Sequence, residues 1–346
     1  MYKNHKLAAA VQIAFAYVGT VVGAGFASGQ EVMGFFTIYG DNSLWAILIS
    51  SFLFVYIGIQ ILLLGMELGA SSFKKLMDTM FGFLSPIVSI YLIFAMMVIN
   101  MAMLAGAGAV FQEFGKMPYI VGVIITALIA IVIIGYGIKG VLSINKILIT
   151  VILAFQFIIV FITLFNRYNF KGQISFIQAG PIRLIKQGIS YASFNIILST
   201  GVLAKLGHEF KDRDTLVMGG LIGGCILGFM LLVLHFCLLA HIPDIFDYEI
   251  PVLYIISDNS WFFSILYSFV VWGAILTTLV GNLYSMTSFF HDRFGINHLI
   301  SATLIVCSAS FLSTLGFSSI VNTLYPIVGL IGVIFIVAVF FYTRKL

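Results

Sequence analysis

Apolar residues run through this chain in long blocks separated by short polar joints. Ten blocks can be read, at Leu7–Ile38, Leu44–Leu68, Leu84–Phe111, Tyr119–Ile138, Ile144–Phe165, Leu184–Leu206, Leu216–Ala240, Trp261–Phe290, Leu299–Phe317 and Ile320–Tyr342. Blocks of about 20 residues suit helices that cross a hydrocarbon layer ~30 Å thick. A membrane barrel would instead read as short alternating strands. The pattern therefore predicts an all-α integral membrane protein of ten transmembrane helices. Prolines punctuate the joints at Pro86, Pro118, Pro181, Pro243 and Pro251, and Pro326 falls inside the tenth block, where it is expected to kink the helix. Ten helices divide into five plus five, with a first repeat at about 7–166 and a second at about 184–343 inside one domain spanning residues 1–346. An odd-numbered unit, repeated, is inverted in the membrane, and such folds place their binding site where corresponding helices of the two halves are interrupted. The test is whether helices one and six are both broken.

Helix one carries "YVGTVVGAGFASGQEVMGFF", with Gly19, Gly23, Gly25 and Gly29 followed by Glu31. Three readings compete for it. Small residues four apart let helices pack closely. A dinucleotide loop needs a strand before it and a soluble βαβ unit, and neither is present. The third reading is a helix break between about Val22 and Ser28. Each glycine costs a helix ~1 kcal/mol relative to Ala, and unwound carbonyls are tolerated at bilayer depth only where they face a polar cavity or an ion. In helix six the centre, Ser190 to Asn195, is polar and poor in Leu, which predicts the second break there.

Composition removes the soluble alternatives. The chain has 346 residues, 61% of them hydrophobic and 9% charged, too few charges to cover a water-soluble surface. The basic start, "MYKNHK", leads directly into apolar residues with no evident cleavage site, so it reads as the first spanning helix and not as a leader. Twelve of the 17 Lys and Arg, among them Lys3, Lys6, Lys205, Lys211 and Arg213, fall on the side of the N-terminus. That excess predicts a multi-pass protein of the cell membrane with both termini cytoplasmic, and it accounts for the net charge of +4 without any nucleic-acid partner. The joint between helices seven and eight, "HIPDIFDYEIPVLYIISDN", has no Lys or Arg and is expected to fold over the outer face. Cys225, Cys237 and Cys307 sit in apolar runs and read as small hydrophobes.

The glycine stretch resembles the first helix of LeuT-fold secondary transporters in the amino acid–polyamine–organocation superfamily. Within that group, "AFAYVGTVVGAGFASGQEV" is similar to the YkvI-type bacterial membrane proteins, and "GIKGVLSINKILI" at the start of the fifth helix is similar to amino-acid permeases. The likeness extends to helix eight, "VVWGAILTTLVGNLYSM", where sodium-coupled members carry Ala-x-x-Thr/Ser-Thr/Ser, matched here by Ala274, Thr277 and Thr278. The resemblance implies a Na⁺ site formed by those three residues with backbone carbonyls at Gly19 and Val22. The competing reading is that the threonines bond back to their own helix. Phe26 stands where members with a second ion have asparagine, so a second ion site is not implied.

Under this resemblance a small organic solute, expected to be an amino acid, binds at Gly23, Ala24, Gly25, Phe26, Asn100, Tyr191, Ser193, Asn195 and Asn282, with Tyr191 as a gating aromatic. Asn100, Asn195, Asn282 and Asn322 lie in apolar helices and should face the bundle, either as helix–helix glue or toward the cavity. A carboxylate at mid-membrane is costly, which singles out Glu31. It reads as a vestibule residue, a gate paired with Arg183 or Lys186, a proton carrier, or a contact for a substrate ammonium; the gate is the preferred role. His235 reads as a satisfied core residue, and the "GHEFKD" at His208 lacks zincin spacing. No catalytic set and no cofactor motif is legible. The expectation is Na⁺ symport; the rivals are proton coupling through Glu31 or a solute sensor on the same fold.

Overall fold

The computed structural model describes residues 2–70, 73–136, 150–152, 154–163 and 179–343. The start of the fifth helix, with Lys139 and Lys146, lies outside them. The first apolar block forms three helical pieces, α1 (Tyr2–Val21), α2 (Ala24–Ser28) and α3 (Gln30–Phe35). There follow α4 (Ser43–Glu67), α5 (Phe73–Phe81), α6 (Ser85–Glu113), α7 (Tyr119–Tyr136) and α8 (Thr150–Thr163). The remainder comprises α9 (Pro181–Phe210), α10 (Arg213–Leu239), α11 (Pro251–Asn259), α12 (Trp261–Phe294), α13 (His298–Leu312) and α14 (Phe317–Thr343). Every described element is helical. Among the described residues, seven spans are long and apolar enough to cross a membrane, and three shorter apolar helices, Lys6–Val21, Tyr119–Gly135 and Thr150–Thr163, accompany them.

The joints follow local chemistry. Asp212 and Asn297 cap α10 and α13 by accepting from Thr215 and Leu299 amides, and Ser260 does the same for α12. Proline stands in the first turn of α6, α9 and α11, where its missing N–H costs nothing. Two packing groups result. In one, α4 packs on α9 and α10, α1 on α10, and α9 on α14; in the other, α6 packs on α7 and α12, with α13 against all three. Helix α10 joins α1 to α4 through two glycine rows. A side chain at Gly219 or Gly223 would press on Ile13 or Tyr17 of α1, and one at Gly220 or Gly224 on Ile59 or Val55 of α4.

Helix six corrects the expectation of a second break. Helix α9 is continuous from Pro181 to Phe210. Ser190, Ser193 and Asn195 in its polar centre find partners without unwinding. Ser193 Oγ donates to the Ile189 carbonyl (2.7 Å), Asn195 Nδ2 to that of Tyr191 (3.1 Å), and Ser190 Oγ to Pro326 of α14 (2.8 Å). No glycine lies between Gly188 and Gly201 to favour another course. The interruption of helix one thus has no counterpart in helix six, and α14 runs through Pro326 as one element. The joint after α10 is itself structured. Its α11 packs against α2 and α12.

Candidate functional site

Helix one ends its first piece at Val21. The Gly23 amide donates to the Val21 carbonyl at 2.9 Å, a bond too short in register to continue the helix, and Gly23 is extended (φ −104°, ψ −167°). A second bend falls at Gly29, whose φ of 82° is the left-handed conformation that favours glycine. The side chain of Val252 in α11 lies against that glycine. Tyr267 of α12 donates its hydroxyl to the Ala27 carbonyl (2.7 Å), which anchors the short piece between the bends to α12, and Ser28 Oγ donates to the Gly25 carbonyl within that piece (2.8 Å).

Glu31, in the first turn of α3, is buried, with 6% of its surface exposed. Its side chain turns back across Gly25, and a Cβ on that residue would overlap the carboxylate. The Tyr191 hydroxyl of α9 faces the carboxylate and Asn195, closing a well-formed bond to neither, and Glu31 Oε2 is also unbonded. Tyr325 of α14 lies within the field of the same carboxylate. The Tyr191 ring stands edge-on to Phe35, Phe36 and Phe54 at centroid distances of 5.1, 5.0 and 6.0 Å. Gly34 lets Asn322 of α14 approach α3, since Asn322 Oδ1 occupies the space of a Cβ there. Next in the chain to Glu31, Gln30 is wholly buried with neither amide atom bonded. Unsatisfied buried groups of this kind are rare in proteins and mark places where water or a ligand belongs.

The expected site residues separate into three places. Gly25, Tyr191 and Asn195 come together around Glu31. At the break itself, Thr278 Oγ1 lies 3.8 Å from the Cβ position of Gly23, and Gly19, Gly23, Thr277, Thr278 and Asn282 are all partly exposed, whereas Val22, Ala24 and Ala274 are buried. Thr277 donates to the Ala274 carbonyl at 3.1 Å, and Asn282 Nδ2 is unbonded. Three residues lie elsewhere. Ser193 packs beside Gly332 of α14 because its hydroxyl serves its own helix. Asn100 meets Met286 Sδ (3.4 Å) across the contact of α6 with α12. Phe26 faces a small space with Ile152, Gln156 and Tyr267. The paired gate is not formed either. Arg183 lies over the Tyr39 ring at 5.3 Å and Lys186 is exposed. His235 is a core residue, between the hydroxyls of Thr37 (3.1 Å) and Ser43 (3.3 Å). Sequence reasoning missed Tyr325, whose only signal is its place before Pro326 and shortly after Asn322.

The structural neighbours of this all-helical architecture are LeuT-fold transporters. The chain is similar to a manganese transporter from Eremococcus coleocola (TM-score 0.64, 15% identity, 98% of this chain and 79% of that one). It is also similar to the inward-facing form of Mhp1 (TM-score 0.63, 14% identity, 93% and 73%) and to MhsT in complex with L-phenylalanine (TM-score 0.61, 17% identity, 92% and 87%). Mhp1 is a nucleobase-cation-symport-1 family transporter. In sequence, the chain is homologous to YkvI-type membrane proteins. It is 28% identical to the uncharacterized membrane protein YkvI of Bacillus subtilis over 328 residues, 94% of each chain, and 27% identical to YyaD of the same organism over 331 residues, again 94% of each. No family model matches the chain. It is a multi-pass membrane protein.

Proposed function

We propose that this protein is a secondary transporter that moves a small organic solute, an amino acid by preference, in symport with Na⁺ through the cell membrane. The observation that carries the reading is the interruption of helix one at Val22–Gly23, flanked by buried and unbonded polar groups, in a chain whose structural neighbours are transporters. A helix broken at membrane depth needs a polar occupant to be stable. The solute would lie between α2 and α9, beside Gly25, Tyr191 and Asn195. The Lys and Arg distribution supports cytoplasmic termini, which puts α1 on the inner side of the break and α3 on the outer side.

The ion would bind where α12 meets the break, with oxygens from Thr277, Thr278 and the carbonyls of Gly19, Val22 and Ala274. Neutral hydroxyl and carbonyl oxygens are hard donors suited to a small hard cation. The approach of Thr278 to Gly23 supports this placement, and a hydroxyl that donates along its own helix, as Thr277 does, still presents an oxygen. The test is Thr277→Val combined with Thr278→Val, which keeps shape and removes the oxygens. Uptake of labelled amino acids into proteoliposomes is expected to lose its dependence on Na⁺ while the purified variant remains monodisperse. Na⁺ stimulation that survives in the double variant overturns the ion assignment.

A further inference from the structure

We propose that Glu31 is the seat of the ammonium group of the transported solute, so that the solute class is restricted to molecules with a free amine. The inference rests on the transporter reading above and narrows it.

A carboxylate buried at membrane depth needs a cation, because the protein interior supplies little solvation for an isolated charge. Among the described residues, the ion pairs are Lys6 with Asp212 and Asp214, and Lys205 with Glu209, and none involves Glu31. The two cations nearest in sequence to the facing end of α9 are engaged elsewhere or in solvent, Arg183 over Tyr39 and Lys186 exposed. The carboxylate is not left to swing outward. It is folded across Gly25, and that position is glycine because any side chain would displace it. It therefore stands at the break of helix one, where the solute is expected, with Oε2 unbonded.

Its surroundings fit an organic cation better than a bare ion. The hydroxyl that faces it is phenolic, that of Tyr191, with Tyr325 farther off but within its field, and behind Tyr191 stand Phe35, Phe36 and Phe54. One carboxylate with a phenol hydroxyl gives an ammonium its charge partner and hydrogen-bond acceptors, and aromatic walls attract cations and pack against alkyl groups. A small metal ion asks for five or six oxygens closely set, which this pocket does not assemble among the described residues. The same carboxylate repels a solute that is only anionic.

The test uses the purified full-length protein in lipid nanodiscs. Its Tm is followed against the twenty common amino acids, ethanolamine and putrescine, the N-acetyl forms of whichever bind, succinate, and NaCl without solute. A ligand that binds only the folded state raises Tm in proportion to its occupancy. At least one free amine is expected to raise Tm, its N-acetyl form is expected not to, and Glu31→Gln is expected to weaken the amine about 10- to 100-fold, the loss of one hydrogen-bonded charge partner. Glu31→Asp, which keeps the charge, is expected to retain the need for a free amine and so controls for folding. The proposal is overturned by N-acetyl forms that bind as well as the amines, by unchanged affinity in Glu31→Gln, by stabilisation from NaCl alone that depends on Glu31, or by no stabilisation from any amine. Flux into proteoliposomes separates the two readings. Glu31-dependent amine binding without flux sinks the transport reading and keeps the seat, whereas flux of an N-acetylated solute that ignores Glu31→Gln sinks the seat and keeps transport.

Discussion

Replacing Gly29 by Ala tests how the outer pieces of helix one are held. Gly29 has φ 82° and ψ −9°, and an added Cβ would lie 2.7 Å from Val252 Cγ2 and 3.4 Å from Leu238 Cδ2. The left-handed backbone costs a residue with a side chain about 1–2 kcal/mol, and forcing a methyl into a packed contact costs about 1–3 kcal/mol more. Together they give about 2–5 kcal/mol, or a fall in Tm of roughly 4–10 °C at about 2 °C per kcal/mol for a large chain. Intrinsic fluorescence during heating in detergent reads this directly. Two further variants divide the loss. Val252→Ala in the Gly29→Ala background removes the steric share and leaves the backbone share, so the pair is expected to be more stable than additivity predicts by about 1 kcal/mol or more. Gly281→Ala, a helical glycine with nothing within 4 Å of its Cβ position, is expected to change Tm little or to raise it. A Gly29→Ala protein with the parent Tm, or a strictly additive pair, would refute the contact between α11 and the bend.

Three further outcomes are expected. Tyr267→Phe removes the donor to the Ala27 carbonyl and leaves that group unsatisfied, which costs about 1–3 kcal/mol and is measured by the same thermal assay. Ser190→Ala loses the bond to Pro326 and is expected to cost about 1 kcal/mol; no loss would mean that α9 and α14 are joined by packing alone. At the joint before α10, the Thr215 hydroxyl, and then Lys6, hold the Asp212 carboxyl below its usual range. A folded value below the unfolded one means that the stabilisation is fully present above the ordinary Asp range and is lost as pH falls through the folded value. Asp212→Asn should therefore speed amide exchange at Arg213–Thr215 at neutral pH, with the difference from the parent shrinking as pH falls below the ordinary Asp range.

Several parts of this molecule were legible in its sequence because they depend on local chemistry. Apolar runs of spanning length announce helices, since backbone polar groups in hydrocarbon must bond within their own segment. Four glycines in "YVGTVVGAGFASGQEV" announced a break between about Val22 and Ser28, and it falls at Val22–Gly23, because each glycine weakens a helix locally. The importance of Glu31 was likewise visible as a charge in an apolar block. What lies around it was not. Ser190, Ser193 and Asn195 suggest an interrupted helix when read along the chain, yet α9 is continuous, because one of them bonds to α14 and the others to carbonyls four residues back in α9. Tyr325, the cover that α11 gives Gly29, and the approach of Asn322 to Gly34 join segments hundreds of residues apart. A linear pattern records how much each residue costs in a helix or in lipid. Which partner removes that cost depends on which helices pack together, and only the tertiary structure decides it.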